Sequence, residues 1–202
     1  QEYTDKIKEI EEFERNLREN NPDFLFSGTV VVGYEGNETD IVIPDGVTGI
    51  GTGAFYCTNL KSVKIPNSVT IIGDHAFEET GLTSVVIPNS VTSIGFAAFS
   101  DCDSLTSIEI PDSVTSIGDY VFAYSSALTS VTIGSGVINI GESAFYLCNA
   151  LTSVEFENPN GWFVANSPYE PSGTTVTISA TDFAANATLL KDTYREYYWK
   201  RG

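Results

Sequence analysis

The chain of 202 residues has no methionine, a single histidine (His75) and three cysteines. It carries 10 Lys and Arg against 27 Asp and Glu, a net charge of −17, and no Lys or Arg between Lys64 and Lys191. No apolar run approaches the roughly 18 residues that a membrane-spanning helix needs. Each shortage excludes something. One histidine, set just before an Ala-Phe pair, does not build a Ser–His–acid triad, a Cys–His nucleophile or a zinc pair. No G-x-x-x-x-G-K loop occurs, and no G-x-G-x-x-G follows a strand, so no phosphate cradle is expected. The acid excess repels nucleic-acid phosphates and anionic membrane surfaces, which excludes both as partners. It serves solubility, with a cationic partner or bound calcium as the sharper alternatives. The chain shows no signal peptide. The absence of methionine, even at position 1, points to a removed segment and so to export.

What the chain has in abundance is one sentence written repeatedly. Residues 60–81 read LKSVKIPNSVTIIGDHAFEETG, 82–104 LTSVVIPNSVTSIGFAAFSDCDS, 105–127 LTSIEIPDSVTSIGDYVFAYSSA and 128–150 LTSVTIGSGVINIGESAFYLCNA. A degenerate first unit fills 38–59, and a last strand begins at Leu151. Units of 22 or 23 residues mean a solenoid, because none is long enough to bury its own apolar side chains. In "LTSVTI", Leu128, Val131 and Ile133 face inward while Ser130 and Thr132 face out, as a short parallel strand ended by Pro or Gly. "VTSIG" supplies Val114 and Ile117, with Gly118 as a turn residue. The inward positions of one unit are Leu82, Val85, Ile87, Val91, Ile94, Ala98 and Phe99. Equivalent phenylalanines, Phe77, Phe99, Phe122 and Phe145, should form one row.

The pattern L-x-x-V-x-I-P-x-x-V-x-x-I-G-x-x-A-F-x-x-C-x-x-L over residues 38–156 resembles the BspA-like class of leucine-rich repeat. Gly134 in place of Pro and Val121 in place of Ala are departures that keep the inward plugs. The resemblance implies an α/β solenoid, mainly β, with a curved parallel sheet on its concave side. It also implies a bacterial protein that is secreted or displayed at the cell surface and engaged in adhesion. Host matrix proteins and cell-surface molecules are the partners it suggests; no set of binding residues carries over.

The ends are read as caps on the same single domain. Residues 1–37 hold an amphipathic helix, with Ile7, Ile10, Phe13 and Leu17 at helical spacing, and a hairpin. Residues 157–202 hold a strand in "GTTVTIS" and a helix from about Ser179 onward. Ser179 or Thr181 is its N-cap, and Leu189, Leu190, Tyr194, Tyr197 and Trp199 are its apolar residues. A mobile docking helix and an aromatic platform for sugar or peptide are the functional alternatives at the two ends. A cap at each end is taken to mean a complete unit.

Cys57, Cys102 and Cys148 hold one register position in units 1, 3 and 5. Two layers are about 10 Å apart, beyond the roughly 7 Å between Cα atoms that a disulfide spans, so they are expected as free buried thiols. Asp101 and Asp103 have a calcium-loop spacing without the Gly and Glu of an EF-hand; a solvated loop is the default and a weak surface calcium site the alternative. Asn37 and Asn186 head glycosylation sequons, which carry little weight in a bacterial protein.

The candidate ligand surface is the outward side of the strands: Ser62 and Lys64, Ser84 and Val86, Ser107 and Glu109, Ser130 and Thr132, Ser153 and Glu155. A threonine column, Thr83, Thr106, Thr129 and Thr152, runs beside it. This strip lacks the Trp, Tyr or Arg that anchor most interfaces. Tyr56, Phe96, Tyr120, Tyr124 and Tyr146 lie outside the core pattern and offer a second surface near the convex loops. The expectation is a monomeric, non-catalytic binding module for a protein or glycan ligand, with no cofactor and no metal. A polysaccharide hydrolase built on two carboxylates, or a structural spacer, are the alternatives.

Overall fold

The computed structural model describes residues 2–168 and 173–202. The unit folds as one turn of a β-solenoid, and equivalent residues of successive turns lie side by side. All seven inward positions of unit 82–104 are at most 8 % exposed. The phenylalanine row forms and gains a member at its start. Phe55, Phe77, Phe99, Phe122 and Phe145 stack at 5.1, 5.3, 5.8 and 5.4 Å between ring centres, within 24° of parallel.

Each turn has three walls. The first carries the "LTSVTI" strands. β3 (Asp40–Val42) pairs in parallel with β5 (Ser62–Lys64), and β8 (Ser107–Ile110), β10 (Ser130–Ile133) and β12 (Ser153–Phe156) form a second parallel sheet. Unit 82–104 departs from expectation: it has no strand here and joins β5 only through the bridge Lys64↔Val86. Proline supplies part of the reason. Where Gly134 and Glu157 replace it, their N–H groups donate to the carbonyls of Ile110 and Ile133, at 2.9 and 3.0 Å. Pro66, Pro88 and Pro111 have no N–H to give, so the ladder loses that rung in the first half.

The second wall gives Gly118, expected as a turn residue, a different role. β4 (Gly49–Ile50), β6 (Ile71–Ile72), β7 (Ser93–Ile94), β9 (Ser116–Ile117) and β11 (Asn139–Ile140) are two-residue strands. They form the parallel centre of a ten-stranded sheet. Gly118 is there for close approach: a Cβ on it would lie 2.5 Å from the backbone of Gly95, and one on Gly141 would lie 2.5 Å from Gly118. The glycines form a column because two backbones meet where no side chain fits.

The third wall is the "xAFx" turn. Here the hydrogen bonds reverse direction. In the second wall N–H groups donate to the preceding turn, as Gly95 to Ile72; in the third they donate to the following one. His75, Phe77 and Glu79 donate to Phe96, Ala98 and Ser100 at 2.8, 2.8 and 3.0 Å. The first and last donors of each triplet have positive φ. One such column is Gly53, His75, Ala97, Tyr120 and Ser143; the other is Cys57, Glu79, Asp101, Tyr124 and Leu147. Nine of these ten residues are not glycine, so the left-handed conformation is imposed by the neighbouring turns rather than by local preference.

At the start, α1 (Glu2–Asn20) is followed by the antiparallel hairpin β1 (Phe24–Ser27) and β2 (Val30–Tyr34), and β2 continues into β4. The helix is as expected in span but not in burial. Only Leu17 of its stripe is buried; Ile7, Ile10 and Phe13 remain 39–52 % exposed. At the far end, α2 (Phe183–Thr188) packs on β12 and is capped by Asp182, not by Ser179 or Thr181. The Asp182 carboxylate accepts from Ala185 N at 3.0 Å. The sequon residue Asn186 is fully buried and donates to Val154 O and Ser179 O at 3.0 and 2.8 Å, so it is a structural clamp. The expected long helix ends early in a π-helical turn, Leu189–Thr193. The aromatic tail becomes β15 (Tyr198–Arg201), which pairs with β11 and with β13 (Trp162–Ala165); β14 (Thr174–Thr175) is the outer strand. Aromatic residues next to an open sheet edge are satisfied better as a strand than as a helix.

These close contacts predict opposite effects of two conservative changes. Gly118→Ala should lower unfolding free energy by about 1–3 kcal/mol through overpacking. Ala97→Gly should raise it by about 1 kcal/mol by relieving a left-handed alanine. Urea denaturation followed by circular dichroism checks both.

Candidate functional site

The ten outward positions all lie on the first wall. The break in the first wall opens a groove of about 930 Å³. Six of the ten candidate residues line it: Ser84, Val86, Ser107, Glu109, Ser130 and Thr132. Ile87, Pro88, Ile108 and Pro111 also line it. Val86 stands 80 % exposed, an apolar contact among the groove's hydroxyls. Ser62, Lys64, Ser153 and Glu155 are on the flanking strands β5 and β12 and lie outside the groove. The Ser62 hydroxyl is already engaged by Asp40 at 2.5 Å.

The neighbouring threonine column is structural. Thr83, Thr129 and Thr152 hydroxyls donate to Lys61 O, Thr106 O and Thr129 O at 3.3, 2.8 and 3.4 Å. Thr70, Thr92 and Thr115 form a similar ladder beside the second wall. Many acids also have structural work, binding one turn to the next. Asp74 accepts from Phe96 N, Asp119 from Glu142 N, and Asp103 from the hydroxyl of Ser126, at 2.8, 3.0 and 2.6 Å. The Asp101–Asp103 pair is thus bonded within protein, and no cluster of three metal-binding side chains occurs among the described residues.

Asp112 and Glu157 pair just beyond the ends of strands β8 and β12. Asp112 accepts from the N–H and hydroxyl of Ser135 at 2.6 and 2.7 Å, and Glu157 accepts from the same N–H at 3.2 Å. The Asp112 carboxyl is held below its usual range, first by the Ser135 hydroxyl and then by a hydrogen bond with Glu157. That same bond with Asp112 pushes Glu157 up.

The family model described as "BspA type Leucine rich repeat region (6 copies)" matches residues 34–105 and 70–162. The chain belongs to the BspA-type leucine-rich repeat family. Solved structures agree. A leucine-rich repeat protein of T. pallidum is 33 % identical, with 66 % of this chain and 69 % of that one covered and a TM-score of 0.64. One from Bacteroides ovatus ATCC 8483 is also 33 % identical, over 66 % of this chain and 38 % of its own, with a TM-score of 0.58. One from Eubacterium ventriosum ATCC 27560 is 25 % identical over 74 % and 46 %, with a TM-score of 0.60. This BspA-type chain therefore spans less than half of the latter two. No curated protein matched it. Its repeats are those of a binding module, and no helix among the described residues is long and apolar enough to cross a membrane.

One expectation about reactive side chains needs correction in this BspA-type chain. The three cysteines are free, but only two are buried. Burial pushes Cys102 up to about 11 and Cys148 up to about 12, and their thiols reach Phe77 O and Phe122 O at 3.2 and 2.9 Å. Cys57 is exposed, and its pKa is raised by a hydrogen bond to Glu79. His75 is part-buried: its ring bonds Glu78 at 2.5 Å and lies 5.0 Å from that of Phe96. The groove itself was not anticipated, although the run Pro66, Pro88, Pro111, Gly134, Glu157 at one register position carries the signal.

The Asp112 site has a testable sign. A carboxyl with a depressed pKa stabilises the fold above its unfolded value, and that stability is lost as pH falls through the folded value. Ser135→Ala removes the leading cause, so Asp112 should titrate at higher pH. Carbon-detected NMR titration of the Asp112 carboxyl measures this directly, and an unmoved midpoint would refute the assignment.

Proposed function

We propose that the chain is an exported or cell-surface bacterial binding module, non-catalytic and monomeric, that holds a protein or glycan ligand along the first wall. The single observation behind this reading is the convergence of Ser84, Val86, Ser107, Glu109, Ser130 and Thr132 on one open groove. The groove is open and lined by both hydroxyl-bearing and apolar residues, which suits an elongated ligand better than a small enclosed substrate. Membership of the BspA type supports surface display and adhesion as its setting. Residues 1–37 and 157–202 serve as end pieces of one unit around the repeats at 38–156.

Polysaccharide hydrolysis gains little from the geometry. Its two carboxylates work about 5–10 Å apart in a cleft, whereas Asp112 and Glu157 are hydrogen-bonded to each other on the exposed surface. The spacer alternative predicts no ligand at all.

A screen of immobilised matrix proteins and glycans tests the proposal. A captured ligand should lose at least about tenfold in affinity, roughly 1.4 kcal/mol, when Val86→Glu and Thr132→Lys are combined. Failure to retain any ligand at micromolar concentration, or retention unaffected by these changes, would overturn it.

A further inference from the structure

The turn edge carries a second, separate surface. His75, Phe96 and Tyr120 lie on three successive turns and form a row, with ring centres 5.0 and 5.7 Å apart. Tyr124 lies four residues beyond Tyr120 in the same turn and meets Tyr146 of the next turn edge-on at 5.5 Å. Phe96 and Tyr124 are 40 % and 42 % exposed. These rings sit outside the packed phenylalanine row, so core burial does not account for them.

Two further observations concern the same edge. First, His75 and Tyr120 have φ of 55° and 56°, where the corresponding position of the first unit is Gly53, and Tyr124, in the other left-handed column, has φ of 63°. A large side chain in that conformation is costly relative to glycine. These rings are kept against the local backbone preference. Second, Asp74, Glu78, Glu79, Asp101, Asp119 and Glu142 come from the same turns, while the chain has no Lys or Arg between Lys64 and Lys191. Carboxylates meet this edge directly: Asp74 accepts from Phe96 N, Glu78 bonds the His75 ring and Glu79 accepts from the Tyr56 hydroxyl. Among the described residues, the Arg195 guanidinium from the far end lies 5.5 Å over the Tyr146 ring, an internal example of such a cation stacked on a ring of this edge.

We propose that this turn edge docks an arginine-bearing segment of a partner protein. Its guanidinium groups stack on Phe96, Tyr120 and Tyr124 and pair with the flanking carboxylates. Arginine suits the surface better than lysine, because a planar, weakly hydrated cation stacks on a ring and forks to a carboxylate at the same time. The surface is independent of the strand groove and does not rest on the reading given for it.

The probe is a synthetic peptide of alternating Gly and Arg, titrated into the full chain by calorimetry and by NMR. Ring signals of Phe96, Tyr120 and Tyr124 should shift in the unaltered protein, and a Gly-Lys peptide of equal charge should bind at least threefold more weakly. Phe96→Ser, Tyr120→Ser and Tyr124→Ser together leave net charge unchanged and should weaken binding at least tenfold. Tyr120→Phe with Tyr124→Phe should bind normally. Glu109→Gln with Glu155→Gln, on the strand wall, should change affinity less than twofold. Absence of binding, equal affinity for the Arg and Lys peptides, or ring signals that do not move would each overturn the proposal. The peptide footprint on unaltered protein decides the matter even where the serine variant folds poorly.

Discussion

Every feature of this molecule depends on backbone register between successive turns. The hydrogen bonds that cross from turn to turn hold equivalent residues side by side within about 3 Å donor–acceptor distance. Once that registration exists, a residue type that fits in one turn fits in the next, and columns of Phe, Gly and Thr follow. The repetition in the sequence is therefore the consequence of a translational constraint rather than of a local preference for strand or turn. A turn taken alone has too few apolar residues to hold its shape.

The constraint acts differently on the three walls. The second wall pays out its bonds toward the preceding turn and requires glycine, because its backbones touch. The third wall directs its bonds toward the following turn and forces left-handed conformations on whatever residues stand there. The first wall is held least tightly, since proline removes a donor in three of the five later registers, at Pro66, Pro88 and Pro111. Its ladder fails at unit 82–104, and there the groove opens. The most permissive wall carries the outward hydroxyls, and the most strained wall carries the exposed rings. Both candidate surfaces sit where the demands of stacking leave side chains either free or displaced.

The legibility of the sequence follows the same division. Inward plugs were readable because burial selects one chemical class at a fixed spacing, and the Phe row came out as expected. The left-handed columns were not: His75, Ala97, Tyr120 and Ser143 share no chemistry, only a backbone angle set by neighbours. Gly118 was read as a turn because glycine is ambiguous between freedom of φ and absence of a Cβ. The tail from Tyr194 to Trp199 has helical spacing, but the open edge of β11 takes up its end as the strand Tyr198–Arg201. Six of the ten outward residues meet in one groove, a grouping that alternation alone does not reveal, since it marks a face and not a gap.

The acid excess has two roles that physical reasoning separates. Asp74, Asp103, Asp112 and Asp119 each accept a bond from the next turn and so extend the backbone ladder onto side chains. Those bonds leave the charges in place. Carboxylates engaged by neutral donors still project a negative field, because an N–H or hydroxyl contributes a dipole and no compensating charge. A solenoid that uses aspartate as interturn glue therefore becomes strongly anionic as a by-product of its own stacking. With no Lys or Arg between Lys64 and Lys191, that field is uncompensated along the later repeats, and aromatic rings set within it favour a cation over any neutral ligand of the same shape.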